Sequence, residues 1–86
     1  MTTVTFAQEK YALVIGNSNY TGISKLKNPI NDANDMSSVL KDLGFTVDTL
    51  LDGSLGQMEN AVARLKNRLS VTQNSYGFLY YAGHGV

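Results

Sequence analysis

The stretch that most restricts this chain is Tyr11–Ile15 (YALVI), an unbroken apolar run closed by Gly16 and Asn17. A strand with one face in water alternates apolar and polar residues. A continuous apolar run asks for cover on both faces, which is the habit of parallel sheets. Parallel neighbours cannot be joined by a tight turn; each needs a crossover of about a dozen residues or more, usually a helix. The rest of the chain must therefore supply helices of that length and further strands.

It does so in alternation. Asn28 followed by Pro29 starts a helix: the Asn side chain can cap free N–H groups, and proline suits the first helical position, where its missing N–H had no partner. Ile30, Ala33, Met36, Leu40 and Leu43 fall three or four apart and make one apolar stripe, and Gly44 supplies a left-handed stop. Phe45–Leu50 (FTVDTL) reads as a half-buried edge strand. Ser54 and Gln57 match a capping box, after which Met58, Ala61, Val62, Leu65 and Leu69 line one helical face while Arg64, Lys66 and Arg68 project elsewhere. Val71–Ser75 (VTQNS) is a turn, and Tyr76–Ala82 (YGFLYYA) is a third, heavily apolar strand. Strand, helix, strand, helix, strand with right-handed crossovers predicts a three-layer α/β/α architecture around a parallel sheet. If the first strand is central, the Asn17–Asn28 loop and the Gly83-His84-Gly85 turn leave the same sheet edge, where open α/β folds place their sites.

Eighty-six residues make one small domain or a piece of a larger one, and a core of that size is marginal without a partner. Seven Lys and Arg balance seven Asp and Glu, which argues against a nucleic-acid partner because no basic field is present. No apolar run is long enough for a membrane span, and Met1–Gln8 has neither the basic nor the apolar stretch of a signal peptide, so no membrane partner is expected and localisation stays open. Cysteine is absent, and with it disulfides, zinc-ribbon spacing and a thiol nucleophile. No metal-ligand cluster stands out. The loop at Gly16-Asn17-Ser18-Asn19-Tyr20 lacks both phosphate-binding glycine patterns.

The lone histidine is the residue with chemistry to offer. His84 is the one side chain here whose ordinary pKa lies near neutrality, and the glycines beside it let the backbone turn sharply and approach a ligand. The residues alone admit two readings, a general base or a hydrogen-bonded histidine at a strand end. Gly85 is equally a turn glycine or a bare-backbone donor. Asp32 and Asp35 can simply complement the dipole of their helix.

Four segments, Lys10–Asn17 (KYALVIGN) with Tyr20, Leu26–Ala33 (LKNPINDA), Leu40–Phe45 (LKDLGF) and Tyr80–Val86 (YYAGHGV), stand in an order and spacing that resembles the amino-terminal half of caspase-like cysteine peptidases, especially bacterial metacaspase and paracaspase relatives. The resemblance covers residues 10–86, leaving 1–9 as a poorly ordered extension. It implies a caspase-like fold that stops after the third strand, and a Cys–His dyad in which His84 polarises a thiol and later protonates the leaving amine. It implies that the Gly85 N–H is one oxyanion-hole donor and that Asp32 helps hold an arginine or lysine side chain before the scissile bond. Metacaspases often carry cysteine where Pro29 stands and serine where Ala82 stands, which leaves substrate choice open.

The resemblance also says what to look for elsewhere. In caspases the histidine precedes the cysteine by about 50 residues, so the nucleophile is expected on a carboxyl-terminal half beyond these 86 residues, and the chain alone is expected to be inactive. The expected partners are a peptide or protein substrate and that missing half. No cofactor is expected, although calcium activation of some metacaspases leaves calcium open by resemblance. The alternative is a non-catalytic module of the same fold that associates, with itself or another chain, through the exposed third strand.

Overall fold

The structure, a computed structural model, describes residues 8–18 and 28–83. Its elements follow the expected alternation: β1 (Glu9–Gly16), α1 (Asn28–Asp42), β2 (Thr46–Leu51), α2 (Leu55–Val71) and β3 (Ser75–Ala82). The sheet order is β2-β1-β3, and both pairings are parallel. β1 is thus the central strand, and Ala12–Ile15 are at most 4% exposed.

The pleat divides β1 between two cores. Ala12 and Val14 pack with Ala33 and Leu40 of α1, joined by Met36, Phe45, Val47 and Tyr80. Leu13 and Ile15 point the other way, to Ala61 of α2, with Leu50, Met58 and Leu65 around them. One helix covers each face, so a continuous apolar run loses no side chain to water. This is the three-layer α/β/α arrangement, with β2 at one edge and β3 at the other.

Local chemistry sets the helix ends. Gly44, at φ 92°, takes the left-handed conformation after α1; its N–H donates to the Lys41 carbonyl at 3.0 Å, and the Phe45 N–H donates to the Leu40 carbonyl at 2.9 Å. Those two bonds form the Schellman stop, and the packing of Phe45 near Leu40 supplies its usual apolar contact. At α2, Ser54 Oγ accepts from the Gln57 N–H at 3.2 Å while Gln57 Oε1 accepts from the Ser54 N–H at 2.8 Å, a complete capping box. Asn28 opens α1 in the structure, but its side chain and the proposed cap lie outside what is described.

Two details differ from the sequence reading. Leu43 is 58% exposed, because α1 ends at Asp42 and the stop turns the next side chain away from the sheet. α2 continues through Val71, which is 72% exposed, and the turn is shorter than expected; Asn74 takes the left-handed conformation at φ 55° before β3. β2 is the half-buried edge strand expected, and its polar residues reach the helices: Asp48 meets Arg64 Nη2 at 3.1 Å, and Thr49 shares a 2.8 Å hydrogen bond with the buried Ser37 hydroxyl.

Candidate functional site at the carboxyl ends of the strands

Parallel pairing brings the carboxyl ends of all three strands to one rim. Gly16 stands opposite Leu51 on one side and Ala82 on the other. α1 begins above the same rim: a Cβ on Gly16 would lie 2.7 Å from the Ala33 Cβ and 2.8 Å from the Pro29 carbonyl oxygen, so the helix start approaches the strand as closely as glycine permits. The neighbouring residue Asp32 is exposed on that part of α1. The first turn of α1 contains no acidic residue, so Asp32 and Asp35 sit deeper in the helix than a dipole-complementing pair would.

The expected site residues fall into two groups. Asp32 lies on the helix segment over the rim, with its carboxylate side open to solvent. His84 and Gly85 lie outside the described residues; the description reaches Gly83, directly after the last residue of β3. The loop from Asn17 to Asn28 is described only at Asn17, Ser18 and the backbone of Asn28.

Hydrogen bonds tie the strand ends together. The Asn17 N–H donates to the Ala82 carbonyl at 2.9 Å, and the Asp52 N–H donates to the Gly16 carbonyl at 2.8 Å. Asp52 Oδ1 accepts from the Ser18 N–H at 2.7 Å, and the Ser18 hydroxyl lies 3.1 and 3.3 Å from the two carboxylate oxygens. Ser18 is 4% exposed, so this polar side chain is buried with its needs met. Sequence reasoning passed over both residues. The one local signal is the Asp52-Gly53 pair, a turn-forming dipeptide; nothing in the sequence announces its partner 34 residues earlier.

Beside the rim, on the α2 face, an open groove of about 410 Å³ is lined by Ile15, Leu55, Met58, Glu59 and Val62. Leu55 and Val62 are 68% and 42% exposed, so the groove is largely apolar and accessible. Among the described residues, no three His, Cys, Asp or Glu side chains gather where they could hold a metal ion. No helix among them is long and apolar enough to cross a membrane.

Comparison with known proteins adds a relationship to this geometry. A family model described as the caspase domain matches residues 9–86. The chain is 44% identical over 79 residues to the Homo sapiens mucosa-associated lymphoid tissue lymphoma translocation protein 1, an alignment covering 92% of this chain and 9% of that protein. The Mus musculus homolog is 43% identical over 79 residues, with the same shares covered. The chain therefore spans a small fraction of the length of these curated relatives.

Proposed function

The chain belongs to the caspase-domain family, and from that premise we propose that it forms part of a cysteine-type endopeptidase, contributing one side of the site that hydrolyses peptide bonds. The observation that carries this reading is the shared rim: β1 and β3 are parallel neighbours whose ends, Gly16 and Ala82, stand in register beneath the start of α1. A residue departing from β3 and another on α1 can face one substrate from there.

His84 is the base in this reading. Its imidazole takes the proton of a cysteine thiol, and the thiolate sulfur attacks the scissile carbonyl carbon. The carbonyl oxygen becomes an oxyanion that accepts a hydrogen bond from the Gly85 N–H. The imidazolium then gives its proton to the leaving nitrogen, the C–N bond breaks, and a thioester remains. Water, losing its proton to His84, hydrolyses the thioester and frees the thiol. Asp32 pairs with an arginine or lysine side chain of the substrate, a role suited to an exposed carboxylate. The sequence holds no cysteine, so the thiol comes from a complementary carboxyl-terminal half, and the chain by itself is inactive.

The test is complementation. This chain, combined with a cysteine-bearing carboxyl-terminal half of a caspase domain, is expected to cleave peptides with Arg or Lys before the scissile bond, and His84→Ala is expected to lower kcat by about 100-fold or more. Cleavage unaffected by that substitution would remove His84 from the reaction. Cleavage confined to substrates with Asp at that position would remove Asp32 from substrate recognition.

A second reading has its own support. β3 is an edge strand whose Phe78, Leu79 and Tyr81 are 40%, 55% and 45% exposed. Such an edge suits strand addition, so the same fold could serve as a non-catalytic module that associates through β3. Failure of the complemented domain to cleave any peptide, together with self-association through β3, would favour it.

A further inference from the structure

Asp52 follows the last residue of β2 with φ at 52°, in the left-handed region that residues with a Cβ rarely enter and that Asp and Asn tolerate best among them. Such a conformation persists where its surroundings over-determine it. Here the surroundings are the bonds that close around Asn17. On one side of Asn17 the Gly16 carbonyl accepts from the Asp52 N–H at 2.8 Å; on the other, the Ser18 N–H donates to Asp52 Oδ1 at 2.7 Å. The Ser18 hydroxyl, 3.1 and 3.3 Å from the carboxylate oxygens, shares its one proton between them, and Ser18 is 4% exposed. Hydrogen bonds to a carboxylate are short and strong compared with neutral ones, so the segment is gripped from both ends.

What the grip holds is the Asn17 N–H, and that group donates to the Ala82 carbonyl at 2.9 Å. Between the Ala82 carbonyl and His84 stands Gly83 alone, a residue with no side chain to restrict its backbone. The point from which His84 leaves the sheet is therefore set by the Ala82–Gly83 peptide, whose carbonyl the Asn17 N–H holds. We infer that Asp52 is a positioning residue: it clamps Gly16–Ser18 so that the Asn17 N–H fixes the end of β3 from which His84 departs. The inference rests on the peptidase reading for its consequence, and on the Asp52, Ser18 and Asn17 bonds for its geometry. Asp52 has no contact with substrate in this scheme and acts through Asn17 and Ala82.

The experiment has two arms. In the complemented, cysteine-bearing domain, Asp52→Gly keeps the left-handed backbone but loses the acceptor, whereas Asp52→Asn keeps both and loses the charge. Asp52→Gly is expected to lower kcat about tenfold or more, with a smaller change in KM and the pH profile in place, since misplacing a catalytic group costs rate; Asp52→Asn, whose amide oxygen accepts more weakly than a carboxylate, is expected to fall between Asp52→Gly and the parent. In the second arm, amide hydrogen exchange on the 86-residue chain is expected to quicken at Asn17 and Ser18 in Asp52→Gly, with Leu13 and Val14 as reporters of an intact core. Should Asp52→Gly fail to fold, Ser18→Ala decides: it removes one of the two Ser18 groups bonded to the carboxylate, and kcat equal to the parent's together with unchanged exchange at Asn17 and residue 18 would overturn the inference. So would an unchanged kcat in Asp52→Gly, a displaced pH profile in Asp52→Asn, which would put the charge in place of the bonds, or Asn17 and Ser18 amides as protected as before. A parent that cleaves nothing sinks the peptidase reading instead, and exchange at Asn17 and Ser18 still decides the clamp.

Discussion

At the scale of single residues, Gly16 is the position with the least room. An added Cβ would meet the Ala33 Cβ at 2.7 Å and the Pro29 carbonyl oxygen at 2.8 Å, both belonging to helix backbone or held close to it. Gly77 also faces a 2.7 Å contact, but with Leu69 Cδ1, the tip of a side chain that can turn aside. Gly16→Ala is therefore expected to destabilise the chain by about 1–3 kcal/mol through overpacking, and Gly77→Ala by clearly less, as read from urea midpoints. Equal losses would show that α1 moves away from β1 at little cost. The contrast was invisible in the sequence, where both are glycines in or beside apolar runs. Asp52 and Ser18 were illegible for a related reason: their bond joins residues far apart in the chain, and neither sits in a pattern with a period. Asp32 could be placed near a helix start from Asn28-Pro29, and the observed helix begins there.

The elements themselves were more readable, because their signals are local. The apolar run of β1 called for helices on both faces, and it has them; Gly44 ends α1, and Ser54 with Gln57 begins α2. Removing the Ser54 hydroxyl by Ser54→Ala is expected to cost about 1 kcal/mol, and a Gln57→Ala change on top of it should add little, since the two halves of the box act together. Additive losses, measured by denaturation, would mean that Ser54 and Gln57 cap the helix independently. Periodicity failed at the ends and edges of elements. Leu43 fits the α1 stripe by spacing but falls past the helix, and Val71, read as the start of a turn, extends α2. In each case tertiary placement, which a local pattern does not contain, decided the outcome.

For the whole molecule, the apolar β3 edge has the greatest influence on behaviour in solution. Exposed Phe78, Leu79 and Tyr81 on an edge strand favour pairing with another chain. Light scattering during size-exclusion chromatography is expected to find assemblies larger than a monomer, and Leu79→Lys is expected to shift them towards the monomer by placing a charge on the strand. A parent chain that stays monomeric when concentrated would discount the edge as an associating surface. The central place of β1 has a consequence in time as well as space. Tyr11 pairs with Thr46 on one side and Gly77 on the other, so β1 acquires its second neighbour only after α1, β2, α2 and β3 have been made. At roughly 5–20 residues per second, Ala12–Ile15 wait several seconds on the ribosome without their full complement of neighbours. That interval makes nascent β1 a natural client for chaperones, and makes speed of translation a determinant of how much chain survives to fold.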